Sequence, residues 1–355
     1  MIEEELRAMK DEIDKEIEKW LPRKGEEKAL LRLTKNANYS LPLQEYEEGL
    51  SKPLYELLDR GGKRWRPVLL ALVAEAFGVK KDVYKTLFPV IEVIHNSSLI
   101  SDDIEDGSEM RRGKPAVHKI FGVDIALNAS EFAFFAPVQA CIVQNKKIRK
   151  RIKLKLLEIY LEEMTKLSMG QAMDIVWHNN IGRANEITEN EYFQMCAWKT
   201  GTLARMAAKM GAALGNASDE AIEAIGEYAE KIGIAFQIQD DILNLTGEEF
   251  AEKKGGVGED ITEGKRSLMV IHTLQVASQE DKKRLIEILS MHTTDQNLRN
   301  EAIAIIKKYN SIEYAKQVAK KLLQEGWAKA DAYLPNNEYK QKLKDLSTFL
   351  VERKI

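Results

Sequence analysis

Three aspartates stand close together at the end of an apolar segment. Residues 101–106 read SDDIED and follow the stretch LFPVIEVIHNSSLI. On a helix, positions i, i+1 and i+4 share one side, so Asp102, Asp103 and Asp106 are expected to converge. Like charges at this spacing need a cation, and Mg²⁺ binds one or two carboxylates together with water and substrate phosphates. A solvated helix end is the alternative explanation for this cluster taken alone.

A second acid cluster weakens that alternative. Asp240 and Asp241 also stand at i and i+1, Asn244 supplies an oxygen side chain at i+4, and an apolar segment again precedes them. Two such clusters, about 140 residues apart, can face each other across a cavity between helices, where bundle proteins build metal sites. Three divalent ions held there would neutralise a diphosphate and stabilise its departure.

Basic residues precede and follow the first acid cluster. The segment GGKRWRP at residues 61–67 opens a helix, and glycines before a helix N-terminus leave backbone N–H groups for an anion. Lys63 and Arg66 add fixed charge there, and Arg111 and Arg112 lie just past the acids. Arginine can bind phosphate through two parallel hydrogen bonds. Surface solubility explains most single basic pairs, but it explains two pairs around an acid cluster less well.

Further polar residues suit a phosphate ligand. Lys199 and Thr200, in the sequence KTG, can hold phosphate oxygens, and Lys265 closes a glycine-rich loop over residues 255–264. His95 stands seven residues before Asp102, two turns back on about the same helix face, so we assign it a phosphate role, although a core histidine is the alternative. No His or Cys cluster in the sequence suggests zinc, and no nucleophilic triad can be assembled.

The elements that must position these residues are helices. Gly and Pro number only 21 and 8 of 355 residues, so turns are scarce and long helices are expected. Apolar residues at helical spacing predict a helix over residues 1 to about 20, and strand-like alternation is absent. We therefore predict one all-α domain over residues 1–355, with an N-terminal helix within 1–25 and a helical outer layer over 282–355.

Composition excludes several function classes. A net charge of −3, from 53 basic and 56 acidic residues, gives no general attraction to nucleic acid. The longest uncharged apolar stretch, residues 132–145, is too short to span a bilayer, so we expect no stable membrane insertion. Only Cys141 and Cys196 are present, which argues against a disulfide framework. With an acidic, amphipathic N-terminus unlike a signal peptide, the sequence predicts a cytoplasmic protein.

Taken together, the motifs resemble those of the trans-isoprenyl diphosphate synthases, which elongate prenyl chains. The resemblance rests on GGKRWRP, HNSSLISDDIEDGSEMRRG, GQAMDIVW, KTG, FQIQDDILNLTG and GEDITEGKRS, which occur in the family's order between residues 52 and 264 or just beyond. The forms of the acid clusters look most like those of the geranylgeranyl diphosphate synthases of the eukaryotic type. The resemblance implies an isoprenoid synthase fold, a bundle of long helices around a deep central cavity, and a homodimer.

The resemblance also implies two different diphosphate sites. An allylic diphosphate (dimethylallyl, geranyl or farnesyl) must lose its diphosphate, which the resemblance places on three Mg²⁺ ions. Isopentenyl diphosphate keeps its own diphosphate and is bound without metal. For the allylic site the implied metal ligands are Asp102, Asp103, Asp106, Asp240 and Asp241, and the implied diphosphate ligands are Arg111, Lys199, Thr200, Gln237, Lys254 and Lys265. For the isopentenyl site the implied residues are Gly62, Lys63, Arg66, His95 and Arg112.

The sequence departs from the family pattern at two places. Asn244 stands where many relatives have a third aspartate, which lowers the charge of that cluster and leaves its metal contact open. The lysine expected before the glycine-rich loop falls at Lys253 or Lys254, because the register is ambiguous by one residue.

Product length depends on the helix wall above the first acid cluster. Ser97 and Ser98 lie about one turn, roughly 5.4 Å, before Asp102, where relatives that stop at fifteen carbons carry a bulky aromatic residue. Farther along, Phe134 and Phe135 align with aromatic floor positions of twenty-carbon enzymes, although plain core packing is the alternative. We predict geranylgeranyl diphosphate as the product, with a fifteen- or twenty-five-carbon product as the runner-up.

Two other functions compete with chain elongation. A terpene synthase, a lyase, uses a similar acid motif but needs no isopentenyl site, so the intact GGKRWRP and Arg112 argue against it. A non-catalytic partner subunit tends to lose acid clusters, and this chain keeps both.

Overall fold

The computed structural model describes residues 2–183, 186–247 and 257–352. These residues form helix after helix, which confirms the all-α prediction. The N-terminal helix follows the predicted apolar spacing, with Leu6, Ile13 and Ile17 buried on one face. Short π-helical turns at Glu47–Ser51 and Gln139–Val143 and a 3₁₀ turn at Lys85–Leu87 join some of the α-helices. In chain order the α-helices are α1 Ile2–Trp20, α2 Glu27–Thr34, α3 Leu43–Tyr46, α4 Lys52–Leu58, α5 Trp65–Ala76, α6 Lys81–Tyr84, α7 Phe88–Glu105, α8 Val117–Phe121, α9 Val123–Val138, α10 Lys150–His178, α11 Glu189–Lys199, α12 Gly201–Leu214, α13 Asp219–Thr246, α14 Glu259–Thr262, α15 Leu268–Val276, α16 Gln279–Ser290, α17 Gln296–Lys308, α18 Ser311–Ala330 and α19 Glu338–Glu352.

A small hairpin interrupts the helices after α7. Strands β1 (Met110–Arg111) and β2 (Lys114–Pro115) pair antiparallel, with Arg111 opposite Lys114. The two residues between them, Arg112 and Gly113, have φ of +53° and +74°. A two-residue turn with both φ values positive matches the twist of a hairpin, so this pair of residues accounts for strands that periodicity did not predict.

The chain divides into two compact units. Unit 1 comprises Met1–Leu161, Met206–Ile225 and Tyr333–Leu346, and unit 2 comprises Glu162–Arg205, Gly226–Ala332 and Ser347–Ile355. Within unit 1, helix α7 packs against α9 and α1, and α5 is buried along nearly its whole length. Within unit 2, the core includes Ile238, Met269 and Ile288. The prediction of a single domain with a C-terminal layer over 282–355 stays a prediction.

One continuous helical stretch is longer than the apolar segment considered from sequence. Residues 123–143 form 21 helical residues that are apolar enough to cross a membrane by length and composition, and 56% of the window is buried within the protein. This stretch is longer than residues 132–145 because it also includes the two charged residues of α9, Asp124 and Glu131, which end an uncharged segment. Its buried face packs against α7 and α4, as a core helix does.

Candidate active site

In unit 1 the first acid cluster lies at the C-terminal end of α7. Asp102 and Asp103 occupy the last turn and Asp106 is the C-cap residue. The helix ends there because Gly107 takes φ of +65° and Ser108 N–H donates to the Asp103 carbonyl at 2.9 Å. Asp103 is fully buried, whereas Asp102 and Asp106 are partly exposed. The helix end therefore presents carboxylates at different depths.

Arg111 of the hairpin lies against this cluster. Its Nε donates to Asp103 Oδ1 at 2.7 Å, and its Nη2 lies 3.4 Å from Asp102 Oδ2. Burial raises the pKa of Asp103, and the Arg111 charge opposes that rise. Asp103 Oδ2 is buried without a hydrogen-bond donor among the described residues. The Arg111–Asp103 ion pair thus balances the carboxylate charge, but within the described part of the chain it leaves Asp103 Oδ2 buried without a partner, and a cation could bind there.

The arrangement of the acidic side chains indicates how a metal ion would bind. Among residues 2–183, 186–247 and 257–352, no three His, Cys, Asp or Glu side chains are arranged to hold a cation by themselves. Mg²⁺ commonly takes one or two carboxylates and completes its shell with water and phosphate oxygens. The unpartnered oxygen of Asp103 and the carboxylate chemistry of the cluster fit that mode of binding.

The basic segment before α5 forms a second feature of unit 1. Gly61 and Gly62 have φ of +84° and +135°, backbone conformations that favour glycine. Lys63 is exposed on this loop, whereas Arg66 is 7% exposed, with its guanidinium 4.4 Å from the Trp65 ring centroid. The loop therefore places one basic side chain at the surface and one in the interior.

Arg66 and His95, both predicted for the isopentenyl site, lie next to each other. Arg66 Nη1 is 3.3 Å from His95 Nε2, and because arginine only donates, the histidine accepts through Nε2 and carries its proton on Nδ1. Burial lowers the pKa of Arg66 to about 10, and burial beside arginines lowers the pKa of His95 well below its usual range. At neutral pH the pair is therefore a charged guanidinium beside a neutral imidazole.

Arg112 joins the hairpin to the glycine loop. Its Nη1 donates to the Gly61 carbonyl, to the Leu57 carbonyl at 3.3 Å and to Asn96 Oδ1 at 3.2 Å. A Cβ on Gly62 would lie 3.4 Å from Arg112 Nη2. Burial lowers the pKa of Arg112 to about 10, so its charge persists at neutral pH. Unit 1 thus holds all five residues predicted for an isopentenyl site, and it places Arg66 beside His95 and Arg112 beside Gly62.

In unit 2, Lys199, which is predicted to bind the allylic diphosphate, pairs with Asp174, which was not among the predicted site residues. Lys199 Nζ donates to Asp174 Oδ2 at 2.5 Å, and Asp174 is 6% exposed. The two helices approach closely here, because a Cβ on Gly170 would lie 2.3 Å from the Lys199 backbone nitrogen. The glycine and the aspartate of the GQAMDIVW segment therefore position this lysine.

A chain of hydrogen bonds leads to the second acid cluster. Thr200 Oγ1 donates to Gln237 Oε1 at 2.9 Å, and Gln237 Nε2 donates to Asp241 Oδ1 at 2.8 Å. Tyr192 Oη donates to Asp241 Oδ2 at 3.3 Å. Both oxygens of the buried Asp241 carboxylate are therefore oriented, while Asp240 is partly exposed. The predicted residues Thr200, Gln237 and Asp241 form one connected set.

Carboxylates and a lysine concentrate charge beside Asp241. Burial, and then the neighbouring Asp260, raise the pKa of Asp241 to about 7. Lys265 Nζ lies 3.1 Å from Asp260 Oδ1 and 2.8 Å from Glu263 Oε2, and its pKa is raised because the attraction of these acids outweighs burial. Lys265 is thus the cation that balances this group of acids.

Asn244 takes a structural position in the second cluster. Its side-chain oxygen accepts from Asp260 N–H at 3.2 Å, and its carbonyl accepts from Gly258 N–H at 3.0 Å. At 2% exposure, Asn244 therefore holds the start of α14, the short helix that carries Asp260. Lys253 and Lys254 lie outside the described residues.

The residues predicted to set product length occupy different environments. Ser97 is fully buried and donates to the Ser130 carbonyl at 2.6 Å, and Ser98 donates to the His95 carbonyl at 2.8 Å. Phe134 is half-buried, with its carbonyl accepting from Tyr160 Oη at 2.8 Å. Phe135 is 67% exposed, so it does not line the interior of this chain. Phe134 is therefore the better placed of the two phenylalanines for a floor, and Ser97 joins α7 to α9.

Some residues that hold others in place were not predicted from the sequence. Besides Asp174 and Tyr192, these are Arg64 and Glu92 in unit 1. A charged residue within an apolar run is a signal of this kind. Glu92 in PVIEVI and Asp174 in QAMDIV both show it, whereas nothing in the local sequence marks Tyr192.

Comparisons with known proteins show which family the chain is similar to. The family model described as polyprenyl synthetase matches residues 47–306. A short chain isoprenyl diphosphate synthase of Methanothermobacter thermautotrophicus is 38% identical over 272 residues, covering 77% of this chain and 81% of the relative.

Solved structures of similar proteins support the same family. A geranylgeranyl pyrophosphate synthetase from Pyrococcus horikoshii superposes with a TM-score of 0.82 at 32% identity, covering 99% of both chains. A geranylgeranyl pyrophosphate synthase from Corynebacterium glutamicum, solved with isoprenyl diphosphate and magnesium, gives a TM-score of 0.81 at 22% identity over 99% of each chain. At that identity the second likeness shows the fold alone.

Proposed function

The chain belongs to the polyprenyl synthetase family and is a prenyltransferase, and we propose that it condenses isopentenyl diphosphate with allylic diphosphates to give geranylgeranyl diphosphate. One observation carries the proposal. Unit 1 holds an arginine and histidine grip that suits an anion directly, while the two acid clusters suit a diphosphate only through a cation. Two diphosphate substrates with different fates require this difference in chemistry.

The grip formed by Gly62, Lys63, Arg66, His95 and Arg112 binds isopentenyl diphosphate without metal. Charged Arg66 and Arg112 donate hydrogen bonds to phosphate oxygens, and the neutral His95 orients Arg66. Gly62, which has no side chain, leaves room for the Arg112 guanidinium beside the loop backbone. No group in this set favours departure of the diphosphate, so the substrate keeps it.

The acid clusters act on the allylic substrate. The residues that would hold Mg²⁺, three ions in all, are Asp102, Asp103, Asp106, Asp240 and Asp241. Similar proteins solved with calcium or magnesium and isoprenyl diphosphate support a divalent ion. When bound, the metal neutralises the charge that develops on the departing diphosphate. The protein's own donors bind and orient the same diphosphate, and they are Arg111, Lys199, Thr200, Gln237, Lys254 and Lys265. Asp174, Tyr192 and Asp260 hold these groups in position.

Growth stops at twenty carbons in this proposal. Small Ser98 leaves the wall above the first cluster open, and Phe134 of α9 closes it farther along. Support comes from the half-buried position of Phe134 and from similarity to geranylgeranyl diphosphate synthases. A fifteen- or twenty-five-carbon product is the alternative within the same chemistry.

The enzyme acts as a cytoplasmic homodimer. Phe135, Leu154 and Leu161 are each more than 60% exposed on adjoining helices of unit 1, and exposed apolar patches favour protein association. Both cysteines are buried free thiols, which suits a reducing compartment.

Product analysis tests the proposal. Purified protein with Mg²⁺ and labelled isopentenyl diphosphate is given each allylic primer separately, and the dephosphorylated products are sized by chromatography. We expect a dominant geranylgeraniol band that disappears when EDTA is added. The Phe134→Ala variant should form a product with a longer chain. Hydrocarbons formed from an allylic diphosphate alone would indicate a terpene synthase, and no turnover with any primer would favour a partner subunit.

A further inference from the structure

Arg64 lies in the middle of the basic loop, but its side chain is buried and bonded to other protein groups. Its side chain is 1% exposed. Nε donates to Asp14 Oδ1 at 2.9 Å, Nη1 to Glu92 Oε1 at 2.7 Å and to the Gly61 carbonyl at 3.3 Å, and Nη2 to the Leu58 carbonyl at 2.8 Å. Each of the three guanidinium nitrogens therefore donates to a protein group. Arg64 joins α1, α4 and α7 in this way, and we call its side chain the brace.

The brace acts on a loop whose backbone is unusual. Gly61, Gly62 and Arg64 all have positive φ, and at Arg64 the value is +50°. A left-handed conformation is disfavoured for a residue with a side chain, so contacts elsewhere must hold it. The Gly61 carbonyl accepts from both Arg64 and Arg112. The conformation of the loop and the position of Arg112 are thus fixed together.

Two carboxylates balance the charge of the brace. Glu92 is 2% exposed, and it also accepts from Asn96 Nδ2 at 3.0 Å, while Asn96 accepts from Arg112 at 3.2 Å. Asp14 is the second carboxylate and is 40% exposed at its side chain. It belongs to α1, which precedes the residues 47–306 matched by the family model. The N-terminal helix therefore contributes a charge to a loop that lies inside the family region.

We propose that Asp14 is a positioning residue for isopentenyl diphosphate, acting through Arg64. By fixing Arg64 it holds the loop that presents Gly62 and Lys63 and supports Arg112. The inference rests on the function proposed above for this grip. We therefore expect α1 to affect the affinity for isopentenyl diphosphate and to leave the affinity for the allylic diphosphate unchanged.

The test compares two carboxylate substitutions on the same helix. Asp14→Asn removes the negative charge that Asp14 places beside Arg64. Glu12→Gln is the matched control, because Glu12 pairs with Lys81 and Lys85 rather than with the loop. For Asp14→Asn we expect the KM for isopentenyl diphosphate to rise about threefold to fivefold, the scale of a partly exposed ion pair. The KM for farnesyl diphosphate and kcat should stay at the wild-type values, and Glu12→Gln should match wild type throughout.

A second variant checks that the effect passes through Arg64. Arg64→Lys keeps the charge but cannot reach both carboxylates and both carbonyls, so it should also raise the KM for isopentenyl diphosphate. Adding Asp14→Asn to it should then have no further effect. Additive effects, an equal rise in both KM values, or an unchanged KM in Asp14→Asn would each overturn the proposal. Arg64→Lys alone also serves if Asp14→Asn yields too little folded protein. Failure of wild type to elongate any primer in the same assay would instead refute the proposed function.

Discussion

Four arginines of unit 1, in two sequence pairs, have different roles because their surroundings differ. Arg64 is committed to internal acceptors, Arg66 lies beside a neutral imidazole, Arg111 balances buried acid, and Arg112 joins the hairpin to the glycine loop. Residue type alone gives each the same capacity to bind phosphate. The burial and partners of each guanidinium decide whether that capacity is available to a substrate.

Removing Arg111 should destabilise the metal-free protein through Asp103. The buried Asp103 carboxylate would lose the cation that balances it, and breaking a buried pair from one side costs about 3 kcal/mol. We expect Arg111→Gln to lower the free energy of unfolding by that order in EDTA, as measured by urea denaturation. Asp103→Asn in the same chain should recover part of the loss. Asp102→Asn, at a partly exposed position 3.4 Å from Arg111, is the control and should change little. Strictly additive losses in the double variant would contradict the account.

Asp241 should make stability depend on pH. Its pKa is raised from 3.8 to about 7, mainly by burial and then by Asp260. Between these values the folded protein holds a proton that the unfolded chain has released, so in EDTA the free energy of unfolding falls as pH rises from about 4 to 7. Urea denaturation at several pH values measures this slope. Asp241→Asn should show a smaller decline than wild type over that window, and an identical slope in both proteins would be the contrary result.

Residue types and spacing predict the acid clusters, the basic loop and the helices because these features are local. The partner of each side chain is not local, since it depends on which helices meet. Ser97 illustrates this: its spacing from Asp102 suggests a cavity wall, but its hydroxyl joins α7 to Ser130 of α9. Likewise Asn244 accepts from the backbone of Asp260 in α14, and Asp14 contacts Arg64 across 50 positions in the sequence. The sequence therefore predicts candidate site residues, but it leaves open what several of them contact.

At the scale of elements, glycines set how closely the helices of unit 2 approach. A Cβ on Gly233 of α13 would lie 2.6 Å from Gly201 Cα at the start of α12, and one on Gly170 of α10 would lie 2.6 Å from the Trp198 carbonyl carbon of α11. Both contacts are backbone against backbone, so neither can be relieved by a side-chain rotation. These crossings position Lys199, Thr200 and Gln237.

Gly170→Ala should therefore separate α10 from α11. We expect a loss of about 1–3 kcal/mol in the free energy of unfolding, as for overpacked cores, together with reduced kcat because Lys199 moves away from Asp174. Thermal or urea denaturation and steady-state kinetics measure the two effects. Gly49→Ala is the control: nothing lies within 4 Å of a Cβ there, so stability should be unchanged or slightly higher. Wild-type stability and kcat in Gly170→Ala would show that the contact does not position the lysine.

At the scale of the whole molecule, the exposed apolar side chains of α9 and α10 should form the interface between two copies. Tyr160 and Phe134 join these helices through one hydrogen bond, so Phe135 and Leu161 share a surface. Light scattering should give wild type twice the mass of one chain, and Phe135→Glu with Leu161→Glu should give the mass of one chain. Tyr39→Glu, at a residue 91% exposed elsewhere, should leave the dimer intact. A dimer that survives the double substitution would refute this interface.

The central claim is that one diphosphate is bound by arginines without metal and the other only with metal. Isothermal titration calorimetry measures this most directly, with isopentenyl diphosphate and an unreactive thio analogue of geranyl diphosphate, each titrated with Mg²⁺ and with EDTA. The account predicts that isopentenyl diphosphate binds with similar affinity in both buffers and that the allylic analogue binds only with Mg²⁺. Loss of both ligands in EDTA, or retention of both, would contradict it.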